Sequence, residues 1–478
     1  MTDKLKIIDE CCVDSDPAND PAIGQKGKLF IKTYGCQMNE YDSTKLAALL
    51  EHTHELTTDP QHADLILVNT CSVRDKPEQK LYSLLGRLRE LKERKPQLMI
   101  GVGGCVAQQE GEQILKRNAG VDFVFGTHNL SLVPSLVSLR TRGAPPQVAV
   151  DYRDDWEDLP PGFGTPNRVS VFVSISRGCN KNCTYCIVPT TRGSEVSRGL
   201  EEILREIRLA VHRGAKEVTL LGQTVNSWGL DFTPRRRFSE LIYAVAEVQG
   251  LERIRFTSPH PQEVRKDFID CLASTAKLCR HLHMPLQSGS DRILQAMNRN
   301  YRMRRYYEII DAVRQRVPEV AITTDLIVGF PGETPEDFNA TLDAIERVQF
   351  DNSFSFMFSP RPGTAAAAMK DDVPSEEKLR RLQVLQDLQF EITTTKLGGW
   401  IGRSVEVLLE GPSADEAGLL AGRTTQNWMV NLMEAAPSGV KAGDLVSVQI
   451  KDRSRFTLRG SLQGTAKGEA VDFSAATA

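Results

Sequence analysis

The sequence has no long apolar segment and almost no net charge. No apolar run approaches the roughly 20 residues that a membrane-spanning helix needs, and the first ten residues lack the apolar stretch of a signal peptide. A formal net charge of −3 excludes a uniformly basic nucleic-acid-binding protein, so any contact with RNA has to come from local patches. These absences predict a cytoplasmic protein that has no membrane partner.

Cysteine, by contrast, is well represented, with ten residues in 478. Because no export signal is evident, these thiols are expected to stay reduced, and reduced thiols suit iron–sulfur ligation. The length predicts roughly three domains, each with enough residues to bury a core of its own.

Three of the cysteines follow closely on a predicted strand. In Ser170–Ser176 apolar and polar residues alternate with the period of two that is typical of a strand. Cys179, Cys183 and Cys186 come directly after it, and thiols this close in a reducing compartment indicate a metal site. A structural zinc site or an ordinary four-iron cluster takes four ligands, and no fourth cysteine or histidine lies nearby. Three thiolates leave one iron of a cluster open; zinc with a remote fourth ligand is the alternative.

Residues 28–143 alternate between strand-like and helix-like segments, which predicts a doubly wound parallel sheet. The predicted strands are Leu29–Tyr34, Leu65–Val68, Leu98–Val102 and Val121–Phe125. The predicted helices are Glu40–Leu50, with Asn39 as its N-cap, then Glu78–Leu91 and Gln109–Arg117.

A second set of three cysteines follows the strands of this domain. Cys36, Cys71 and Cys105 lie about 35 residues apart, which is about one βαβ unit. Each therefore falls at the carboxyl end of a parallel strand, where open α/β sheets bind ligands. We expect the three thiols to converge, again without a fourth ligand. The alternative is three small buried core residues, because free cysteine is commonly buried.

The rest of the chain divides by composition. Residues 144–167 are rich in proline and glycine and are expected to form a linker. Residues 168–397 contain about six βα units, which predicts a partial barrel rather than a closed eight-stranded one. Residues 398–464 predict a small β-barrel with strands at Val405–Leu409, Thr425–Asn431 and Leu445–Ile450. Residues 1–27 and 465–478 are polar and are expected to be disordered.

One basic run is interleaved with aromatic residues. It comprises Arg299, Tyr301, Arg302, Arg304, Arg305, Tyr306 and Tyr307. A solvated helix face is the favoured interpretation and a local RNA-binding patch is the other. Cys271 and Cys279 lie in helical context and are interpreted as core thiols.

Several of these motifs resemble known families. The spacing of Cys179, Cys183 and Cys186, with Tyr185 before the last, resembles the signature of the radical S-adenosylmethionine (SAM) enzymes. A barrel of that kind between a three-cysteine α/β domain and a small β-barrel resembles the methylthiotransferase family. The stretches Thr33–Asn39 and Asn69–Arg74 are similar to the branch that modifies isopentenylated adenosine beside the tRNA anticodon. The C-terminal segment, with Gly422–Thr424, is similar to the RNA-binding TRAM domain.

The resemblance implies an enzyme with two [4Fe-4S] clusters. Cys179, Cys183 and Cys186 would hold the cluster that cleaves S-adenosyl-L-methionine, and Cys36, Cys71 and Cys105 an auxiliary cluster that carries the sulfur. The positions that match the family's SAM pocket are Tyr185, Gly222, Gln223 and Gly329, although the pair Gly222-Gln223 departs from the usual Gly-Gly-Glu.

The implied reaction replaces the C2 hydrogen of N6-isopentenyl(dimethylallyl)adenosine at tRNA position 37 by a methylthio group, at the cost of two SAM molecules. The implied partners are the tRNA anticodon loop, a flavodoxin-like or ferredoxin-like electron donor and an iron–sulfur carrier protein, and the protein is expected to be a monomer. Two alternatives stay open. One is a methylthiotransferase for another tRNA adenosine or a ribosomal-protein side chain, and the other is a non-catalytic RNA-binding protein with two zinc sites.

Overall fold

The computed structural model describes residues 26–72, 77–153, 156 and 168–465. The segments predicted to be disordered, residues 1–27 and 465–478, fall almost wholly outside these ranges, as does about half of the predicted linker. No helix in the described ranges is long and apolar enough to span a membrane.

The N-terminal domain is a six-stranded, fully parallel sheet with helices on both faces. Its elements are β1 (Gly27–Thr33), α1 (Gln37–Leu49), β2 (His54–Leu56), β3 (Leu65–Thr70), α2 (Pro77–Arg94), β4 (Met99–Gly104), α3 (Cys105–Glu110), α4 (Glu112–Arg117), β5 (Phe123–Phe125), α5 (Val133–Thr141) and β6 (Gln147–Ala149). The strand order is β2-β1-β3-β4-β5-β6. Apolar residues on both faces of the central strands fill two cores, which is why β3 is buried along its whole length.

The predicted doubly wound sheet is confirmed, with local corrections. The short edge strands β2 and β6 were not predicted, and β6 extends the sheet beyond residue 143, into the predicted linker. Asn39 is not an N-cap: α1 begins at Gln37 with Cys36 as its cap, because the Asn39 side chain bonds to the next strand end instead. The third helix begins at Cys105 and breaks at Gly111, where the prediction had a single helix from Gln109.

The central domain is the predicted partial barrel of six βα units. Its elements are β7 (Ser170–Ser174), β8 (Ser176–Arg177), α6 (Val188–Arg192), β9 (Val196–Ser197), α7 (Leu200–His212), β10 (Glu217–Leu221), α8 (Phe238–Ala246), β11 (Arg253–Phe256), α9 (Lys266–Ser274), β12 (His281–His283), α10 (Asp291–Ala296), α11 (Met303–Arg316), β13 (Ala321–Val328), α12 (Pro335–Val348), β14 (Asn352–Met357) and α13 (Ser375–Gly398). The parallel strands β7, β10 and β11 form one half and β12, β13 and β14 the other. A single bridge, Ile254 to Leu278, links the halves.

The C-terminal domain is a closed five-stranded barrel, which confirms the predicted small β-barrel and adds two strands that were not predicted, Leu420–Arg423 and Leu458–Thr465. Its strands are β15 (Ser404–Pro412), β16 (Leu420–Arg423), β17 (Met429–Leu432), β18 (Leu445–Arg453) and β19 (Leu458–Thr465), in the order β15-β16-β17-β19-β18. The predicted strand Thr425–Asn431 is wrong in its first half. Thr424–Trp428 is a turn with Asn427 at φ +72°, a left-handed conformation that a strand does not contain.

Buried polar contacts dock the outer domains onto the central barrel. Tyr41 of α1 donates a hydrogen bond to Glu206 of α7, and Met38 and Tyr41 pack against Leu221. On the other side Arg255 of β11 donates to the carbonyl oxygens of Thr424 and Thr425, at 2.7 and 3.2 Å. The turn of the C-terminal barrel is thereby fixed against the inside of the central barrel.

Candidate functional site

The three cysteines of the N-terminal domain lie together at the carboxyl edge of its sheet. Cys36 follows β1, Cys71 follows β3, and Cys105 opens the helix after β4. Glycine at position 35 allows the loop that carries Cys36 to pass close to Cys71. Its φ is +116°, and a Cβ at this position would stand 2.4 Å from the Cβ of Cys71. Cys71 and Cys105 are buried, and Cys36 is half-buried.

A hydrogen-bond network ties the three strand ends to one another. The Asn39 amide donates to the side chain of Asn69 at 3.0 Å and to the carbonyl oxygen of Thr70 at 2.8 Å. The Thr70 hydroxyl donates to the carbonyl oxygen of Gly103 at 2.6 Å. All of these groups are buried, so the loops that carry the thiols are held at fixed separations.

The central barrel contributes a positive charge to this cysteine set. Arg192, at the end of α6, is buried and forms a 2.9 Å ion pair with Asp42 of α1. A hydrogen bond from the Cys71 thiol lowers the pKa of the Cys36 thiol to about 6, and the Arg192 charge acts in the same direction against the effect of burial. The lowered pKa favours the thiolate form of Cys36, which is the form that ligates metals. For Cys105, burial raises the thiol pKa, and Arg192 partly offsets the increase.

The second cysteine set occupies the loop that follows the first barrel strand. Gly178, at φ +69°, is required where the loop begins, because a Cβ there would stand 1.9 Å from the carbonyl oxygen of Ser194. Thr184 fastens the loop to the end of α10 through bonds of 3.1 and 3.0 Å to the carbonyl oxygens of Met297 and Ala296. Burial raises the pKa of Cys186 to about 12, so this thiol needs a cationic partner to ionise.

The two cysteine sets meet at one cavity. It has a volume of about 840 Å³ and fills the inside of the central barrel. Cys36 lines it from the N-terminal domain, Tyr185 and Cys186 from the loop, and Gln426 and Trp428 from the C-terminal turn. All three domains therefore surround a single space.

The other cavity walls divide into polar and apolar parts. His283 lies 3.0 Å from the Thr323 hydroxyl and 3.3 Å from the Asp325 carboxylate. Burial holds the pKa of the neighbouring His281 well below its usual value, so this ring is neutral. The apolar part of the wall is formed by Phe354 and Phe356 of β14. Their side chains are 53% and 42% exposed. Such exposure of two phenylalanines inside a cavity indicates a surface for an apolar ligand.

The other predicted SAM-pocket residues are not among those that line this cavity. Gly222 and Gln223 follow β10, and Gly329 follows β13. A Cβ at Gly222 would stand 2.4 Å from the Ser176 hydroxyl. The Gln223 side-chain oxygen is buried without a hydrogen-bond partner, which leaves it available for a donor such as a ligand ammonium group. Their assignment to SAM stays a prediction.

Neither cysteine set is arranged to bind a single metal ion in the described part of the chain, where no three Cys, His, Asp or Glu side chains come close enough together. Cys271 and Cys279 are buried core thiols, as predicted. The predicted helical context holds for Cys271 on α9, whereas Cys279 lies between α9 and β12.

The basic run after α10 is split between core and surface. Arg302, Arg304 and Arg305 are exposed, in agreement with a solvated helix face. Arg299, Tyr301 and Tyr306 are buried, so for them that interpretation is wrong. Sequence patterns did not reveal the contacts of Arg192 with Asp42, Asn69 with Asn39 or Arg299 with Cys183, because the residues of each pair lie at least 30 positions apart in the chain.

Comparison with known families supports the three-part architecture. Residues 28–126 match an uncharacterised protein family, UPF0004, residues 173–345 match the radical SAM superfamily, and residues 401–462 match the TRAM domain. Among solved structures, the radical S-adenosylmethionine methyltransferase TsrM from Kitasatospora setae, with cobalamin and a [4Fe-4S] cluster bound, is similar at a TM-score of 0.53 and 14% identity. The match covers 72% of this chain and 77% of that one, and it shows a shared fold.

Relatives of higher identity cover nearly the whole chain. The tRNA-2-methylthio-N(6)-dimethylallyladenosine synthase of Herminiimonas arsenicoxydans is 45% identical over 441 residues, which are 91% of this chain and 98% of the relative. The protein of the same name from Acidovorax sp. (strain JS42) is 47% identical over 447 residues, or 91% and 97%. On this identity and coverage, the chain belongs to the tRNA-2-methylthio-N(6)-dimethylallyladenosine synthase family, within the radical SAM superfamily.

Proposed function

We propose that this protein is a radical SAM methylthiotransferase that converts N6-dimethylallyladenosine at position 37 of tRNA to its 2-methylthio derivative. The cavity shared by both cysteine sets is the observation that carries the proposal, because a thiol from each set lines the same space. A volume of about 840 Å³ lies in the upper range of small-molecule sites. A cofactor and a nucleoside can therefore be bound side by side.

Each cysteine set suits a four-iron cluster with one open iron. The donors are three thiols in each case, and at the N-terminal set the low pKa of Cys36 and the Arg192 charge favour the ligating form. When bound, the cluster at the loop cysteines supplies the electron that cleaves SAM, and the radical so formed suits the C2–H bond, which is unreactive toward acids and bases. We assign the second cluster, the sulfur carrier, to Cys36, Cys71 and Cys105.

The chain's own residues bind and orient the reactants. Tyr185 and the unpaired Gln223 oxygen would contact SAM. We assign Gly222 and Gly329 to the same pocket; a Cβ at these positions would meet the Ser176 hydroxyl and the Lys378 side chain. The C-terminal turn, fixed by Arg255, closes the cavity on the RNA side. The proposal also includes cytoplasmic location, a flavodoxin-like or ferredoxin-like electron donor, an iron–sulfur carrier protein and a monomeric state.

The apolar wall explains how a dimethylallylated base would be recognised. Phe354 and Phe356 project from alternate positions of β14 into the cavity, and the Phe354 ring meets the His283 ring edge-on at 5.9 Å. A branched five-carbon group packed on these rings would remove apolar surface from water. Each buried CH₂ contributes about 0.8 kcal/mol to the free energy of binding. The neighbouring polar groups are then left for the purine nitrogens.

Replacing Phe354 by alanine tests this wall. We expect Phe354→Ala to lower kcat/KM for dimethylallylated anticodon-loop RNA by about tenfold, which corresponds to about 1.4 kcal/mol of lost apolar contact. Reductive SAM cleavage without RNA should be unchanged. Tyr243→Ala removes an aromatic ring of similar exposure from α8, outside the cavity, and serves as the matched control. Equal kinetics for Phe354→Ala and the control would contradict a role for this wall.

Nucleoside analysis of tRNA tests the function itself. A strain that lacks this chain is expected to accumulate N6-dimethylallyladenosine and to lose its 2-methylthio derivative, as measured by mass spectrometry of digested tRNA. Complementation with the wild-type chain should restore the derivative. If the 2-methylthio nucleoside persists in the deleted strain while a different methylthio product disappears, the substrate is another adenosine or a protein side chain.

A further inference from the structure

Arg299 is a buried arginine directly beside the loop cysteines. Its Nη1 lies 3.7 Å from the Sγ of Cys183, within hydrogen-bond range for sulfur. Its Nη2 donates to the carbonyl oxygen of Pro285 at 2.8 Å, and its Nε donates to the Tyr301 hydroxyl at 3.1 Å. The guanidinium also stands 5.1 Å from the centre of the Tyr301 ring. It is therefore held in place by neutral groups, with Cys183 in front of it.

Arg299 has no carboxylate partner among the described residues. Several other buried arginines in the described ranges do have one, and among these pairs are Arg192–Asp42, Arg198–Glu206, Arg255–Glu217 and Arg381–Glu333. A guanidinium does not lose its proton in proteins, and a buried charge needs an opposite charge nearby. The groups that raise the pKa of Arg299 against burial are Tyr301, Tyr185 and Cys183. Of these, the cysteine is the one that becomes an anion by ligating a metal.

We propose that Arg299 is the counter-charge of the cluster held by Cys179, Cys183 and Cys186 and that it makes this cluster easier to reduce. Reduction adds one negative charge, and both a nearby cation and an N–H···S hydrogen bond favour the more negative state. The inference rests on the proposed function, since it takes the loop cysteines to hold a four-iron cluster. It goes further by naming the residue that sets how readily SAM cleavage can start.

The N-terminal cysteine set shows the contrast. Its arginine, Arg192, is paired with Asp42 at 2.9 Å, so a carboxylate already offsets part of its charge. A guanidinium without a carboxylate partner at the loop set, and one with such a partner at the N-terminal set, favour placing the electron at the loop cluster. That is the cluster from which SAM would be cleaved.

The test is a redox titration of the reconstituted, full-length protein without SAM, followed by electron paramagnetic resonance. In Arg299→Gln we expect the loop cluster to be about tenfold harder to reduce, a shift of about 59 mV to more negative potential for one electron. Arg299→Lys keeps the charge and should recover part of the shift. Arg316→Gln removes an exposed arginine of the same domain, paired with Asp270 at the surface, and should leave the potential unchanged.

Iron content separates this proposal from the function it rests on. Wild-type protein that reconstitutes no loop cluster would refute the proposed function, whatever Arg299 does. With wild-type iron in Arg299→Gln, an unchanged potential would overturn the inference. A normal potential together with weaker SAM binding would also overturn it, because Arg299 would then contact the SAM carboxylate. If Arg299→Gln does not fold, Arg299→Met, which removes the charge and keeps an unbranched side chain, takes its place, and a potential equal to that of wild type, at equal iron, then overturns the inference.

Discussion

Cys183→Ala protein, reconstituted without oxygen, is expected to hold about four irons, against about eight expected for the wild type, and to form no 5′-deoxyadenosine. Cys183 belongs to a loop that offers three thiols, so its loss would leave two thiols for the proposed cluster, which already lacks a fourth ligand. The N-terminal set should keep its irons, because its three thiols are positioned by a separate sheet with cores of its own. Iron assay and chromatography of SAM products measure both effects.

Cys271→Ala is the matched control for this variant. Cys271 is another thiol of the same domain, but it is buried in the barrel core on α9, away from the loop. Its replacement should leave the iron content and 5′-deoxyadenosine formation at wild-type values. Wild-type rates of SAM cleavage by Cys183→Ala protein would mean that the loop cysteines are not the site of the reductive step.

The architecture was predictable from the sequence because its determinants are local. Alternating strand and helix patterns gave the parallel sheet and the six βα units, and each N-terminal cysteine comes at a strand end where chain direction alone brings the three together. The loop cysteines are within eight residues of one another, so their proximity required no tertiary information. These features follow from the order of residues along a short segment.

The corrections come from tertiary contacts that the local pattern does not contain. Asparagine is a common N-cap residue, but the side-chain amide of Asn39 donates hydrogen bonds to Asn69 and Thr70. The helix therefore begins before Asn39, at Gln37. A strand was predicted for Thr425–Asn431, but Arg255 of the central barrel binds the carbonyl oxygens of Thr424 and Thr425, and the chain turns there.

Arg299 shows the same limit at the site itself. Its sequence neighbours are basic and aromatic, which is typical of an exposed helix face. Its hydrogen-bond partner Cys183 lies 116 residues away in the chain. The burial of Arg299 and the charges around it therefore cannot be recognised from the local sequence.

Cys71→Ala is expected to abolish methylthio transfer while leaving SAM cleavage intact. Cys71 is buried at the centre of the N-terminal set, between Gly35 and the network of Asn39, Asn69 and Thr70. Its loss would remove one of the three proposed ligands there and leave the loop after β8 and Arg299 unchanged. The variant should hold about four irons, form 5′-deoxyadenosine from SAM, and yield no 2-methylthio nucleoside in RNA. Iron assay, chromatography and mass spectrometry of the same reaction measure the three quantities.

Comparison of Cys71→Ala with Cys71→Ser separates a two-cluster enzyme from a one-cluster enzyme in which Cys36, Cys71 and Cys105 are core residues. The hydroxyl of serine is nearly as large as the thiol of cysteine. If Cys71 is a core residue, the fold should tolerate Cys71→Ser, but if Cys71 is a cluster ligand, the hydroxyl cannot take the place of the thiolate. We therefore expect Cys71→Ser to fail in methylthio transfer as completely as Cys71→Ala. Normal 2-methylthio product from either variant would contradict the sulfur-carrying role of the N-terminal set and leave Cys36, Cys71 and Cys105 as core residues. Loss of SAM cleavage in both would instead show that the reductive step needs the N-terminal thiols as well.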